Sequence, residues 1–445
     1  MKEKKSLIQP RTLKGFRDFP PALALPREKM IDKVKTIFRS YGFSPIETPA
    51  LEYSEILLGK GGDESDKQMY RFTDHGGRDV ALRFDLTVPF ARFAAQHGQK
   101  IGLPFKRYHV GPVWRGENTQ HGRYREFYQC DFDTIGTDSN TSDIETVLVM
   151  HDIIEGLGFE RFIIHVNNRK ILSGLLETIR AENHTSAILR SLDKLQKIGR
   201  DNVKQEMERI GLSSEQIGRI LSIALMREDN LVLLETLKIE LSDSETALNG
   251  IQQLQDLVEA FSAAECPSSR LNIDVSIARG LDYYTGTVFE TILSDLPNIG
   301  SVCSGGRYDN LAELYTRQHL PGVGASLGLD RLMAAMEELH MIDKVATTAK
   351  IFVVQFDSAA LSKYITLTQR LRKSGIACEL SSDAKGVGKQ LKYADRKGFR
   401  CAIIGGPDEF DKNTWQIKDL ISGQSNEISD ENIITYLKNT GIDKE

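Results

Sequence analysis

The chain has 445 residues, 40% of them hydrophobic and 27% charged, with a formal net charge of −5. That length suggests about two to four domains, and the composition is that of a soluble globular protein. Taken alone, the acidic balance, with a pI near 6.1, argues against a dedicated nucleic-acid binder, and no stretch approaches the roughly 18 apolar residues a membrane helix needs. The start, MKEKKSLIQPRTLKG, is basic but lacks an apolar core and a cleavage site, so no signal peptide is expected. Five cysteines (Cys130, Cys266, Cys303, Cys378, Cys401) without C-x-x-C spacing predict neither a disulfide framework nor a zinc site, and point to a reducing cytoplasm.

Residues 26–40 read as a helix, with Pro26 in its first turn and Met30, Val34, Ile37 and Phe38 as an apolar stripe. YGFSPIETP (41–49) follows as turn and short strand. In LRFDLTVPFAR (82–92), Asp85 and Thr87 lie two apart on one side of an expected strand, where they could hold an ammonium group. A turn cap through either residue is the competing reading. Residues 105–115 and 124–135 predict a long hairpin. Period-2 alternation puts Gln129, Asp131 and Asp133 on one face and Tyr128, Cys130 and Phe132 on the other. Such a polar face is either solvated or lines a site. The opposing strand ends in Arg115-Gly116-Glu117, and Arg115 could grip a phosphate through two parallel N–H bonds, which lysine cannot do. Residues 141–157 look helical.

The character changes near Arg169. Residues 170–264 hold almost no aromatics, and Leu248, Ile251, Leu254, Val258 and Phe261 follow helical spacing, so a helical insertion is expected. Residues 268–293 return to strand-like sequence. They include ARGLDYYTGTVFE (278–290), where Arg279, Asp282, Tyr283 and Tyr284 crowd beside Gly280 and Gly286. Glycines let a ligand approach the backbone, although paired tyrosines more often pack in a core. GVGASLGLDRL (322–332) runs a Gly-rich strand or loop into a helix, with Arg331 in the first turn, an arrangement suited to an anion. It matches neither the Walker phosphate loop nor a dinucleotide fingerprint. After 341–350, strands at 351–356, 376–381 and 401–406 alternate with helices at 359–374 and 386–397, which predicts a small domain with a mostly parallel sheet. Within it, Lys385, Lys389, Lys392 and Arg396 recur at helical spacing. That stripe is either a solvated face or a footprint for RNA. No nucleophilic Ser or Cys motif, no H-E-x-x-H and no histidine pair at metal-ligand spacing appears. Arginines, carboxylates and tyrosines suit positioning and charge stabilisation rather than covalent catalysis.

In this order the clusters resemble a class II aminoacyl-tRNA synthetase, and within that class the histidyl-tRNA synthetase family. TLKGFRDFPP with its helix and SPIETPALE resemble motif 1. RYHVGPVWRGEN with GRYREFYQCDFD resembles motif 2, and GVGASLGLDRL motif 3. ARGLDYYTGTVFE resembles the signature of the histidine enzymes, and GVGKQLKYADRKGFRCAIIGG (386–406) the anticodon-binding domain of the subclass. The resemblance covers nearly the whole chain, with 170–264 matching in position and helical character only. It implies an α+β catalytic domain built on an antiparallel sheet over 1–169 and 265–342, a helical insertion domain at 170–264, and a C-terminal α/β anticodon-binding domain at 348–445.

The resemblance also implies an activity. Histidine would be activated with ATP and Mg²⁺ to histidyl-adenylate and pyrophosphate, then transferred to the 3′ end of tRNA(His) by a cytoplasmic homodimer, with no metal site built by the protein. Arg115 would hold the ATP α-phosphate, Glu117 would contact the adenine side, Arg123 would join the nucleotide site, and Arg331 would clamp the γ-phosphate. Arg279 would sit beside the α-phosphate and the histidine. Asp85, Thr87 and Gln129 would bind the α-ammonium. Asp133 and Tyr284 would bind the imidazole, with Tyr283 and Tyr308 in the same pocket. Lys385, Lys389, Lys392 and Arg396 would meet tRNA. Many bacterial members read R-P-E-G-T where this chain has Arg83-Phe84-Asp85-Leu86-Thr87, and place Glu where Asp133 stands. Both departures match the eukaryote-like branch. A silent paralogue serving histidine biosynthesis would typically lack the RGLDYY signature and the tail, and this chain keeps both. A synthetase for another amino acid fits Asp133 and Tyr284 less well, and a plain RNA-binding module would not need these arginines and carboxylates around an ATP-sized site.

Overall fold

The computed structural model describes residues 7–58, 66–119, 122–277, 283–342, 347–382, 384 and 386–441. Residues up to Arg17 with Met30–Met341 form one unit, and Asp18–Lys29 with the residues from Ile342 onward form a second.

A long helix, Pro21–Ser40, comes first. It begins five residues earlier than the apolar stripe predicts, because Pro21 takes the first helical position and Pro26 falls inside, where its missing N–H leaves one backbone bond unmade. Met30, Val34 and Phe38 are its buried face. Strand β1 (Ser44–Pro45) follows. Strands β2 (Leu51–Tyr53), β3 (Arg71–Thr73) and β4 (Asp79–Leu82) make a small antiparallel sheet in the order β2-β4-β3.

Strands β5 (Phe105–Trp114), β6 (Glu126–Ile135), β7 (Phe162–Asn168), β8 (Leu271–Ile273), β9 (Thr287–Leu293), β10 (Cys303–Tyr308) and β11 (Gly322–Gly328) join β1 in an eight-stranded sheet. Its order is β1-β5-β6-β11-β10-β9-β7-β8. Only the outer pairs β1–β5 and β7–β8 are parallel. The predicted hairpin is β5–β6, with Arg107 opposite Asp133 and His109 opposite Asp131. Alternation sends Phe132 to the face covered by Phe38, whose ring lies 5.2 Å away, and sends Asp131 and Asp133 to the other. Helix Thr87–Ile101 covers part of that second face through Phe90 and Ala94, which pack with Ile135.

Six helices between Arg169 and Ala263 form the insertion. Side chains close several of their N-termini: Asn168 accepts from the Lys170 amide, Ser213 and Gln216 form a capping box, and Ser244 accepts from the Ala247 amide. Ile251, Leu254 and Phe261 of the expected stripe are buried on Glu245–Ala263.

In the second unit, β12 (Ile351–Val353), β13 (Cys378–Leu380), β14 (Cys401–Ile404), β15 (Thr414–Asp419) and β16 (Ser425–Ser429) are ordered β13-β12-β14-β15-β16. The first three pair in parallel as expected, but β15 and β16 add two antiparallel pairings. The sheet is therefore mixed, not mostly parallel. Trp415 and Ile417 of β15 join Ile351, Tyr364 and Leu437 in the core. Helix Val387–Lys397 buries Gln390 and Ala394 and exposes Lys389, Lys392 and Arg396. Lys385 lies outside the described residues. Among the described residues no helix is long and apolar enough to cross a membrane.

One buried ion pair fixes β10 to helix Asn140–Gly156. Arg307 Nε donates to Asp143 Oδ2 at 3.0 Å, while Nη1 and Nη2 donate to the Thr137 and Ser139 carbonyls at 3.2 Å each. Arg307→Leu strands a buried carboxylate and is expected to cost about 3–5 kcal/mol, read as a lower apparent Tm. Adding Asp143→Leu should recover part of that loss. Strictly additive losses in a double-mutant cycle would show that the pair is not coupled.

Candidate functional site

A cleft of about 340 Å³ opens over the β6–β11–β10–β9 region of the central sheet. Asp85, Thr87, Arg115, Glu117, Arg123, Gln129, Tyr283, Tyr284 and Arg331 all line it. Segments more than 200 residues apart in sequence therefore meet at one place. Asp133 and Tyr308 lie beneath the cleft as its buried floor. Arg279 falls in 278–282, outside the described residues.

The floor is built by strand register. Arg107 on β5 reaches Asp133 on β6, with Nη2 2.5 Å from Oδ2, and the Tyr308 hydroxyl of β10 donates to Oδ1 at 2.7 Å. Arg107 is 0% and Asp133 2% exposed, so the polar face of the hairpin is buried and not a solvated surface. A glycine in β11 makes room: a Cβ on Gly324 would stand 2.3 Å from Asp133 Oδ1. Tyr283 packs edge-on against Tyr284 at 5.1 Å and against Tyr308 at 6.0 Å. Burial raises the hydroxyl pKa of all three tyrosines, which keeps them neutral donors.

Asp85 and Thr87 are not on a strand. β4 ends at Leu82, and Thr87 opens helix Thr87–Ile101. The segment reads as a strand because Phe84, Leu86 and Val88 alternate with polar residues, yet they sit in a bend and a helical turn. Asp85 acts as the turn cap through one oxygen, Oδ1, which accepts from the Val88 amide at 3.1 Å. Oδ2 is buried with no partner. Beside it, Gln129 Nε2 donates to Ser326 Oγ at 2.8 Å, which leaves Oε1 buried and unbonded. Two unsatisfied acceptors at one spot suit a donor-rich cation. Burial pushes the Asp85 carboxyl up to about 6, against the Val88 hydrogen bond and the Arg115 and Arg107 charges.

The other end of the cleft is basic. Arg115 donates from Nε to the Phe84 carbonyl at 2.8 Å and lies over the Phe127 ring at 5.2 Å. Arg123 ion-pairs with Glu117. Arg331, in the first turn of helix Leu329–Glu338, donates from Nη1 to the Ser301 carbonyl at 2.6 Å. Burial and the neighbouring Arg123 charge push its pKa down. Three guanidiniums thus converge beside the 8% exposed Glu117. This donor set fits a polyphosphate.

Four buried polar residues were not anticipated as part of the site: Arg83, Arg107, His109 and Asp131. Arg83 donates to the carbonyls of Thr48 at 2.6 Å and Pro112 at 3.0 Å. Burial pushes Asp131 up to about 7 against the pull of Arg107, and pushes His109 down to about 3, helped by Arg107 and Arg83. The signal was available in the hairpin, since pairing 105–115 with 124–135 places Arg107 and His109 opposite the acids.

Comparison with known proteins agrees with this geometry. The family model described as histidyl-tRNA synthetase matches residues 15–332, and that of an anticodon binding domain matches 350–440. A histidine–tRNA ligase of Rhodopirellula baltica is 53% identical over 424 residues, spanning 95% of this chain and 96% of that protein. One from Wolinella succinogenes is 45% identical over 94% of this chain and 96% of its own length. The crystal structure of histidyl-tRNA synthetase from Nostoc sp. PCC 7120 superposes with a TM-score of 0.89 at 32% identity, covering 98% of this chain and all of that one. The match extends across both units, and the chain belongs to the histidyl-tRNA synthetase family.

Proposed function

We propose that this protein is a histidine–tRNA ligase. The observation that carries the reading is a single cleft with opposite ends, buried carboxylates at one and three arginines at the other. An amino acid fits the first end. Its α-ammonium would pair with the unbonded oxygens of Asp85 and Gln129 beside Thr87, and its imidazole would meet Asp133 and Tyr284, with Tyr283 and Tyr308 closing the pocket. A nucleotide fits the second. Arg115 and Arg331 would hold its phosphates, with Arg123 and Glu117 at the base side. A carboxylate oxygen of histidine would then attack the α-phosphorus, pyrophosphate would leave, and histidyl-adenylate would form. The 3′-terminal hydroxyl of tRNA(His) would next attack the acyl carbon and release AMP. No side chain need bond covalently to substrate, so catalysis is alignment plus neutralisation of charge on phosphate. Arg279, outside the described residues, would supply a further positive charge at the α-phosphate.

Mg²⁺ belongs to the same reading. Among the described residues no group of three His, Cys, Asp or Glu could hold a metal alone. The ion would arrive with the nucleotide, ligated chiefly by phosphate oxygens and water, with Glu290 among the carboxylates lining the cleft. The remaining parts are a catalytic body over 1–169 and 265–342, the insertion at 170–264, and an anticodon-binding body at 348–445. The exposed Lys389, Lys392 and Arg396, with Lys385, would face tRNA. A cytoplasmic homodimer completes the proposal.

Histidine should drive ATP–pyrophosphate exchange in this protein. Exchange with threonine or proline but not with histidine would sink the assignment. Gly324→Ala should displace Asp133 and raise the KM for histidine about tenfold or more, with the KM for ATP nearly kept. An unchanged histidine KM would remove Asp133 from the pocket. A third outcome concerns the cost of the site. Asp131 titrates near 7 in the fold against an ordinary value of 3.8. A raised carboxyl contributes stability that is complete below the ordinary value and is lost as pH rises through about 7. Asp131→Asn removes that slope. It should raise the apparent Tm at pH 8 by about 2–4 °C and give no gain at pH 4. An equal gain at both pH values would contradict the origin assigned to it.

A further inference from the structure

Arg107 is the largest side chain wholly removed from solvent. A guanidinium in that position is costly unless it is paired. Its Nη1 and Nη2 lie 3.5 and 3.4 Å from the carbonyls of Asp131 and Leu86, and its plane lies 4.4 Å from the Phe90 ring centre. Its close partner is Asp133 Oδ2, at 2.5 Å. The charge of Arg107 therefore acts on the pocket mainly through one carboxylate, the same group proposed to meet the histidine ring.

The charges around Asp133 can be followed element by element. β5 supplies Arg107 and His109, and β6 supplies Asp131. The bend before helix Thr87–Ile101 supplies Asp85, the segment before β9 supplies Tyr284, and β10 supplies Tyr308. β11 faces it with Gly324 and adds no charge. The tyrosines and His109 are neutral near pH 6. Asp85 is committed to the substrate ammonium, and Asp131 is protonated once the pH falls below about 7. Burial pushes the Asp133 carboxyl up against the pull of Arg107; ionised, it is cancelled by Arg107, and protonated, it carries no charge. Among the described residues, no uncompensated negative charge beside Asp133 is left for the ring of the substrate.

Resting on the histidine-ligase reading and deepening it, we infer that Arg107 is a positioning and specificity-determining residue. It holds Asp133 in place and neutralises it, so that the pocket takes histidine with an uncharged imidazole and refuses the imidazolium form. The same arrangement disfavours lysine and arginine, whose cationic ends would meet an already paired carboxylate backed by a guanidinium.

The test compares histidine with triazolylalanine, whose ring offers an N–H and a ring nitrogen but stays uncharged at mildly acid pH. Exchange kinetics and calorimetric binding are both measured at pH 7.5 and 5.5. Protonation of Asp85 affects the two ligands alike and cancels in their ratio. For the wild type, the ratio of the histidine KM to the triazolylalanine KM should rise about tenfold on acidification, as the neutral fraction of an imidazole of pKa about 6.5 falls. Arg107→Gln keeps a polar amide on β5 but removes the charge. Its ratio should rise less than about threefold or should fall, because a bare Asp133 attracts imidazolium. Arg107→Lys keeps the charge without the fork, so it should retain the tenfold rise while the histidine KM climbs severalfold and kcat changes little. A full tenfold rise in Arg107→Gln overturns the inference, and so does its loss in Arg107→Lys. Should Arg107→Gln fail to fold, Arg107→Lys decides alone. A wild type that neither exchanges nor binds histidine refutes the functional reading itself, and the inference falls with it. Calorimetric binding without exchange faults the catalytic reading and leaves the Arg107 ratio measurable by affinity.

Discussion

The Arg107–Asp133 pair is the constraint around which the catalytic sheet is arranged. Both groups are stripped of water, and each loses several kcal/mol of hydration in the process. A pair so deep is weak evidence for stability. It makes sense as the foundation of a binding site. The neighbours are what such a pair demands: an aromatic face on the guanidinium, a phenol on the second carboxylate oxygen, and a glycine where any side chain would collide with the acid. Each comes from a different element, respectively helix Thr87–Ile101, β10 and β11. The pair therefore ties the local packing of four elements to one carboxylate.

From that floor the cleft gains polarity. The acid end is buried and its carboxyls resist ionising, while the opposite end holds three guanidiniums. The ends are mechanically joined. Arg115 donates to the Phe84 carbonyl, next to Asp85, so the residue proposed to hold phosphate also braces the segment proposed to hold an ammonium. An amino acid and a nucleotide laid along such a field have one orientation in which charges match. In that orientation the amino acid carboxylate lies between the two ends, where an attack on the α-phosphorus takes place. Preorganised charge of this kind needs no rearrangement at the moment of reaction.

Much of this was legible in the sequence, and the failures have physical causes. The hairpin could be read because one of its faces is apolar and the other polar over a full strand, which is the signal a half-buried strand must carry. Its register placed Arg107 opposite Asp133, yet a lone arginine on a strand more often reads as a surface group, and only burial distinguishes the two. Asp85 and Thr87 do line the cleft, but from a different element than expected. Their alternation imitates a strand, whereas the Asp85 cap and the apolar run beyond it start a helix. The last two strands of the tail could not be read. β16 is Ser-Asn-Glu-Ile-Ser, mostly exposed, and it is held chiefly by pairing with β15, with Ile428 as its one apolar contact to the core. The net charge of −5 misled for a related reason. A chain-wide sum is blind to the separation of charge within one cleft, and to a helix that exposes Lys389, Lys392 and Arg396 along one side.

The shorter acid at the floor is the last step. Aspartate reaches less far than glutamate but has fewer rotamers to lose on being held. Here the Tyr308 hydroxyl donates to one oxygen and the Arg107 charge lies 2.5 Å from the other, so the chain trades reach for a carboxylate whose direction is set before substrate arrives. The remaining imbalance is then informative. Asp85, Asp131 and Asp133 are buried with two buried guanidiniums near them, Arg107 and Arg83, and burial pushes the first two up to about 6 and 7. Among the described residues, no hydrogen-bond donor reaches Asp85 Oδ2. A ligand bringing one ammonium and no second charge completes the count. Free histidine with a neutral ring is such a ligand. Its binding and the ionisation of Asp85 are then two descriptions of one event.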